Sequence, residues 1–349
     1  MTVSTRPRCA MLMTVYNGGR YLKPAIDSVL ASAFEDFEFV IVDNVSTDGS
    51  RDFLRWLSDP RIRLIENETN LGQTGALNVG LHAVSAPYIA RLDADDLNEP
   101  GRLGAQVAQL DADPNLALIG GQTAAIDAED RVLFRTRFPL DYETIRTRMV
   151  LQNCFDHSSV MFRRDAALAV GGYPSEFSVS QDYALFSALL REGHKVANLP
   201  LAVSRVRMHP DQVMAQGGSE REIDETIRVA AANQAWASGE PENLPRARVL
   251  HRLWSGAVSA DARPDDPEPL DALAAFFDAN PAAGRHRAML ALLLLGGACD
   301  DRLDIRRQLL ATALGASPGV VFGGEFWKRL VRAALPASQL GRLRSLVTH

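Results

Sequence analysis

The chain has 349 residues, 46% of them apolar, which is enough for a substantial core and points to two domains or one large domain with an appendage. Its net charge of −6 argues against a nucleic-acid protein, since such proteins usually carry a basic face. Three cysteines, Cys9, Cys154 and Cys299, stand far apart and form no zinc-type pair or disulfide framework, as expected of a protein from a reducing cytosol.

The apolar run Ala10 to Val15 reads as a first strand, closed by the turn Tyr16-Asn17-Gly18-Gly19. It is too short for a signal peptide. Tyr21 to Leu30 has helical spacing, with Leu22, Ile26, Val29 and Leu30 on one face. Phe37 to Val42 is a second buried strand, ending at Asp43. Thr47 or Asp48 is placed to cap the next helix, through Phe53, Leu54 and Leu57. Ile62 to Ile65 reads as a third strand, Gly75 to Val84 as a third helix and Tyr88 to Leu92 as a fourth strand. Apolar strands alternating with amphipathic helices predict an α/β fold: a Rossmann-like, mostly parallel sheet flanked by helices. From Leu116 to Met208 the pattern is mixed, with strands at Ser158 to Phe162 and Val203 to Met208 and a helix at Asp182 to Glu192. The rest is Ala-, Leu- and Arg-rich, predicting an all-helical C-terminal region, and the division is set at 1–235 and 236–349. The longest uncharged run, Ala288 to Cys299, falls short of the roughly 20 residues that span a bilayer.

Asp93-Ala94-Asp95-Asp96 follows the fourth strand and places three carboxylates in four residues. Like charges this close raise one another's pKa, and a hard divalent cation is the usual remedy. Mg²⁺ is often held by one or two carboxylates plus substrate phosphates, so the cluster predicts a metal-bridged diphosphate. An acidic helix N-terminus gives the same pattern. Ligands of parallel sheets bind beyond the carboxyl ends of the strands, and Asp43 and Asp93 both stand at such ends.

Five segments carry a resemblance, in order along the chain: Thr14 to Leu22, Phe39 to Ser50, Asn70-Leu71-Gly72, Ala76 to Leu81 and Tyr88 to Asp96. Together they resemble family 2 glycosyltransferases of the GT-A fold, over roughly residues 9 to 215. The resemblance implies a metal-dependent, inverting transferase that moves a sugar from a UDP- or dTDP-sugar to a glycan or lipid-linked glycan acceptor, in bacterial surface polysaccharide synthesis. It implies that Asp95 binds Mg²⁺ or Mn²⁺, that Asp93 sits near the ribose, with Asp96 as a helper, and that Thr14 and Tyr16 help to hold the donor. Asp43 takes the family's base-reading place, where a carboxylate accepts the imide N–H of uracil or thymine. The common Asp-Asp-Gly-Ser here reads Asp43-Asn44-Val45-Ser46, so the second carboxylate and the glycine are missing. Asp182, in Ser180-Gln181-Asp182-Tyr183, takes the place of the general base, though Gln181 replaces the family's Glu. A carboxylate there deprotonates the attacking hydroxyl, or alternatively caps its helix. His209 resembles a late metal-side histidine and His157 a pocket-lining one, and either also reads as an ordinary loop histidine.

Arg91 and Arg102 read as phosphate contacts or as salt-bridge partners of the acidic cluster. Gly72 and Gly75 flank a donor-pocket loop or a plain turn. The turn after the first strand is too short, and lacks the lysine, for a sugar-phosphate nucleotidyltransferase. The altered motifs leave one alternative, a catalytically degenerate nucleotide-sugar or glycan-binding module. Between Glu325 and Leu346 five basic residues face a single carboxylate, with Phe326, Trp327, Leu330 and Val331 near one helical face. Such a helix either packs on its own domain or rests on an anionic membrane. The expected location is cytoplasmic, with peripheral contact at the inner face of the membrane through that helix.

Overall fold

A computed structural model describes residues 6–209, 220–255, 263–279, 290–291 and 303–316. The chain divides into two units, Met1–Ile145 with Asn153–Thr226, and Arg146–Gln152 with Ile227–His349.

The first unit is built on one sheet. β1 (Cys9–Val15), β2 (Phe37–Asp43), β3 (Ile62–Glu66) and β4 (Tyr88–Arg91) form the parallel ladder that the apolar runs predict. β5 (Leu97–Asn98), β6 (Leu116–Ile126), β7 (Val132–Arg135), β8 (Met161–Arg163) and β9 (Lys195–Arg207) complete it. The order is β3-β2-β1-β4-β8-β6-β9-β5, with β7 pairing with β6. Beyond β4 the sheet is mixed: β8 is antiparallel to both β4 and β6, whereas β9 runs parallel to β6. Periodicity marks which residues are buried but carries no strand direction, so this change is not legible in the sequence.

The helices follow the apolar spacing. α1 (Leu22–Leu30) buries Leu22, Ala25, Ile26 and Val29. α2 (Ser50–Trp56) starts after Gly49 at φ 95°, and Asp48 accepts the Ser50 N–H at 3.0 Å from outside the helix instead of capping it. α3 (Gly72–Ala83) packs Gly80 on Leu12 and Val42 so closely that a Cβ there would stand 2.2 Å from Leu12 Cδ1. Gly75 lies inside α3 against Leu71, so the expected loop between Gly72 and Gly75 is the first turn of a helix. α4 (Arg102–Ala112), α5 (Tyr142–Arg148), α6 (Arg164–Ala169) and α7 (Gln181–Arg191) follow. Cys9, Met11, Met13, Phe39, Ile41, Ala90, Leu103 and Met161 lie in the main core. Cys9 and Cys154 are free and buried, and Cys299 lies outside the described residues.

α8 (Glu220–Ser238) contains the division between the units. The second unit is helical as expected, with α9 (Leu244–Ser255), α10 (Pro269–Ala279) and α11 (Leu303–Ala316). Leu250, Leu253, Leu273, Phe276, Ile305 and Leu309 form its core with Val150 and Leu151. The proline-rich run after α9 is held by the buried Asp266, which pairs with Arg248 and Arg252. Among the described residues no helix is long and apolar enough to cross a membrane. The basic segment 325–346 lies outside the described residues.

Candidate active site

The carboxyl ends of β1, β2 and β4 are adjacent because the ladder pairs Val15 with Asp43 and Leu12 with Arg91. The loops leaving β1 and β2 are laced together. Ser46 and Ser50 hydroxyls accept the N–H groups of Asn17 and Gly18 at 3.0 and 3.1 Å. Asp48 accepts Gly19 N–H at 2.9 Å, and Asn17 Oδ1 accepts Thr47 N–H at 2.8 Å. Thr14 is half-buried at the end of β1, and Tyr16 stands 56% exposed on this rim.

Asp43 is fully buried. Its carboxylate meets Arg51 Nε at 2.5 Å and accepts the Ser46 N–H at 3.3 Å. Arg51 also donates to Asn67 O at 3.0 Å. Sequence reasoning missed Arg51; its spacing from Asp43, across a loop and into the first turn of α2, was the available signal. Asn44 explains the lost carboxylate. Its Nδ2 donates to Asn70 Oδ1 at 2.9 Å and Gly72 O at 3.2 Å, while its Oδ1 accepts from Asn67 Nδ2 and Leu71 N. Only an amide can donate and accept here; an aspartate would turn an acceptor toward two acceptors. Val45 has φ 70°, the left-handed region that a β-branched residue rarely enters, which explains the glycine common at this place.

The three clustered carboxylates have different partners. Asp93 pairs with the buried Arg91, and Ser158 Oγ donates to it at 3.1 Å. Burial pushes the Asp93 carboxyl up, but Arg91, His157 and Ser158 together hold it below the usual carboxylate range. Asp96 is buried and accepts the Arg207 N–H at 2.8 Å. Burial, with Asp95 and Asp93 beside it, pushes its carboxyl well above the ordinary range. Asp95 Oδ2 lies 3.1 Å from His209 Nε2. One protein cation, Arg91, therefore does part of what the cluster predicted of a metal. Arg91 carries the salt bridge expected of it, and the same Nη2 also reaches Thr14 Oγ1 at 3.4 Å. Arg102 does not pair with the cluster: it is fully buried and donates to the carbonyls of Ser158, Arg91 and Val160 and to Gln106.

Among the described residues no group of three metal-ligating side chains occurs. The pair Asp95 and His209 fits a divalent ion that draws its remaining ligands from phosphate and water. Adjacent ligands at about 2.1 Å around an octahedral ion sit about 3 Å apart, and the Asp95–His209 separation is 3.1 Å. The Tyr21 and His209 rings meet at a tilt of 41°, with centroids 4.7 Å apart, and Arg207 lies 4.5 Å above the same Tyr21 ring. Tyr21 is a further residue that the sequence did not single out.

Asp182 lies in the first turn of α7, after Ser180 at the N-cap, so it is not the cap itself. Asn153 Nδ2 donates to its Oδ2 at 3.0 Å, and the side chain keeps a partial opening to solvent. Burial raises its carboxyl to about 7, with Asp93 and Asp156 adding to the effect. A carboxylate tuned near neutrality suits a general base. The preceding turn has Gly171 and Gly172 at φ 93° and 75°. Asn78 clamps Tyr173 there, accepting its N–H at 2.9 Å and donating to its carbonyl at 2.8 Å. Tyr173 OH is 2.9 Å from His157 Nε2. Burial and Arg91 push His157 down to about 3, so it is neutral at physiological pH.

The family model for glycosyl transferase family 2 matches residues 11–170. A putative glycosyltransferase of Bacillus subtilis, EpsE, is 30% identical over 217 residues, covering 60% of this chain and 76% of EpsE. The amylovoran biosynthesis glycosyltransferase AmsE of Erwinia amylovora is 29% identical over 213 residues, covering 60% of this chain and 79% of AmsE. Among solved structures, S. aureus TarS 1-349 in complex with UDP-GlcNAc superposes with a TM-score of 0.58 at 17% identity, covering 88% of this chain and 92% of that one. This chain spans only 54% of a longer TarS chain. The TarS likeness concerns the fold.

Proposed function

This chain belongs to glycosyltransferase family 2, and we propose that it transfers a sugar from a UDP- or dTDP-sugar, with inversion, to a hydroxyl of a glycan or lipid-linked glycan. The observation that carries this reading is Asp182, a half-buried carboxylate held by Asn153 in the first turn of α7 and raised to about 7 by desolvation, with Asp93 at the strand ends adding to the effect.

Asp182 takes the proton of the attacking hydroxyl, so that one oxygen attacks as the nucleoside diphosphate leaves. Single displacement inverts the anomeric centre. Asp95 and His209 would hold Mg²⁺ or Mn²⁺, with the imidazole favouring Mn²⁺. The bound ion supplies charge stabilisation to the departing diphosphate. Asp93, fixed by Arg91 and Ser158, faces the ribose side. Asp43 and the rim residues Thr14 and Tyr16 hold the nucleoside. The Asp43–Arg51 pair, an acceptor beside a donor, matches the N–H and carbonyl of a uracil or thymine imide edge. TarS, solved with UDP and with UDP-GlcNAc, supports a uridine donor. The relatives AmsE and ExoO, named for amylovoran and succinoglycan biosynthesis, support a surface polysaccharide product. Such work fits a cytoplasmic enzyme with peripheral contact at the inner face of the membrane.

A thermal-shift screen of UDP-, dTDP- and GDP-sugars with and without Mn²⁺ tests this reading, because ligands of the folded state raise its melting temperature. UDP- or dTDP-sugars with Mn²⁺ should raise it, and Asp95→Ala should remove the Mn²⁺ dependence. A shift with GDP-sugars alone, or none with any sugar nucleotide, overturns the proposal.

A further inference from the structure

The segment Phe177–Ser180 carries the chain into α7, and its peptide N–H groups precede the helix, where no earlier helical carbonyl can take them. One side chain collects three of them. Glu225 of α8, only 4% exposed, accepts the N–H groups of Ser178, Val179 and Ser180 at 2.9 to 3.0 Å. It also accepts the Ser178 hydroxyl at 2.9 Å. Thr226 Oγ1 lies 3.1 Å from Ser180 Oγ, tying the same turn a second time. Three consecutive N–H groups converging on one carboxylate form a backbone nest occupied by a protein anion. Thr74, which accepts no part of this nest, donates to Phe177 O at 2.6 Å, and Asn78 clamps Tyr173. The turn is therefore anchored from α3 at its start and by Glu225 at its end, directly before Gln181 and Asp182.

We infer that Glu225 is a positioning residue for Asp182: by filling the nest at 178–180 it fixes the entry of α7, and so the place and desolvation of the Asp182 carboxylate. Glu225 touches neither Asp182 nor the strand ends where the donor is placed; it acts through the backbone. The inference rests on the reading of Asp182 as the base. The groups that face Asp182 are Asn153 and Asp156, from the segment between α5 and β8, Asp93 after β4, Tyr173 in the turn before α7 and the Tyr183 N–H of α7 itself, and changing Glu225 alters none of these side chains.

The test is a double-mutant cycle on the full chain at pH 8. Asp182→Asn alone should raise the melting temperature, because it removes a buried charge. In a Glu225→Gln background, where the nest holds a neutral amide with one acceptor, that rise should shrink by at least half, because a loosened α7 entry lets water reach residue 182. With UDP-GlcNAc and Mn²⁺ as the probe, hydrolysis by Glu225→Gln should show at least a tenfold lower kcat and a donor KM within about twofold of wild type. Glu225→Asp, which keeps the charge but is shorter by one methylene, should give an intermediate effect and replaces the glutamine variant if that one does not fold. A merely structural Glu225 would lower all melting temperatures equally and leave the Asp182→Asn increment intact; that result overturns the inference. If Asp182→Asn gives no rise even in the native background, the desolvated base itself is wrong, a distinguishable failure.

Discussion

Replacing Asp182 with asparagine should stabilise the fold while it destroys transfer, and the gain should depend on pH. The carboxyl stands at about 7 in the folded chain against an ordinary 3.8, chiefly through burial. Between those two values the folded chain keeps a proton that the unfolded chain has released. Stability from this group is therefore complete below 3.8 and is lost as pH rises through about 7. At about 1.4 kcal/mol per pK unit, this carboxyl costs the native state about 4 kcal/mol at pH 8, where it is buried ionised, but only about 2 kcal/mol at pH 5, where it must take up a proton that the unfolded chain has released. Asparagine keeps the shape and an acceptor for Asn153 and has no charge to bury. Urea unfolding of wild type and Asp182→Asn at both pH values measures the difference. The variant should gain about 4 kcal/mol at pH 8 and about 2 kcal/mol at pH 5. An equal gain at both, or a variant less stable than wild type at pH 8, refutes the reasoning.

Asn44→Asp, which restores the family's second carboxylate, should destabilise by about 1–3 kcal/mol, since the new oxygen faces Asn70 Oδ1 and Gly72 O; a neutral urea midpoint shift contradicts it. Val45→Gly should stabilise by about 1 kcal/mol by relieving the φ of 70°, measured the same way, and a loss of stability would show that the side chain's packing outweighs the strain. A chain truncated before Glu325 should lose co-sedimentation with anionic vesicles that the full chain shows at low salt; equal binding by both removes the membrane role of the basic segment.

Much of this site was legible because its chemistry is concentrated at strand ends. Asp43, Asp93 and Asp95 follow apolar runs that can only be buried strands, so their convergence on one edge follows from the parallel ladder. Asp182 is similarly marked by the turn and amphipathic helix around it. What escaped was held by long-range contacts without local pattern. Arg51 is the nearest case, eight residues past Asp43, and apart from that spacing it looks like any surface arginine in a first helical turn. Glu225 lies in the second turn of a different helix, 45 to 47 residues from the N–H groups that it receives. The role of Asn44 as a two-way amide emerges only when Asn67, Asn70 and Gly72 fold back onto it. Strand direction beyond β4 is likewise set by which partner edge is open, not by the apolar alternation that both directions share. Arg102 misled for a related reason: proximity to the acidic cluster suggested a salt bridge, whereas the backbone of β4 and of the turn before β8 offered it three carbonyls.

The central claim is that Asp182 drives a single, inverting displacement on a nucleotide sugar. Proton NMR of the free sugar released from α-linked UDP- and dTDP-sugars, recorded before mutarotation, tests it most directly when wild type and Asp182→Asn are compared. The wild-type chain should release the β anomer first, and Asp182→Asn should release at least a hundredfold less while still binding UDP. The α anomer appearing first, or equal turnover by the variant, would contradict the account.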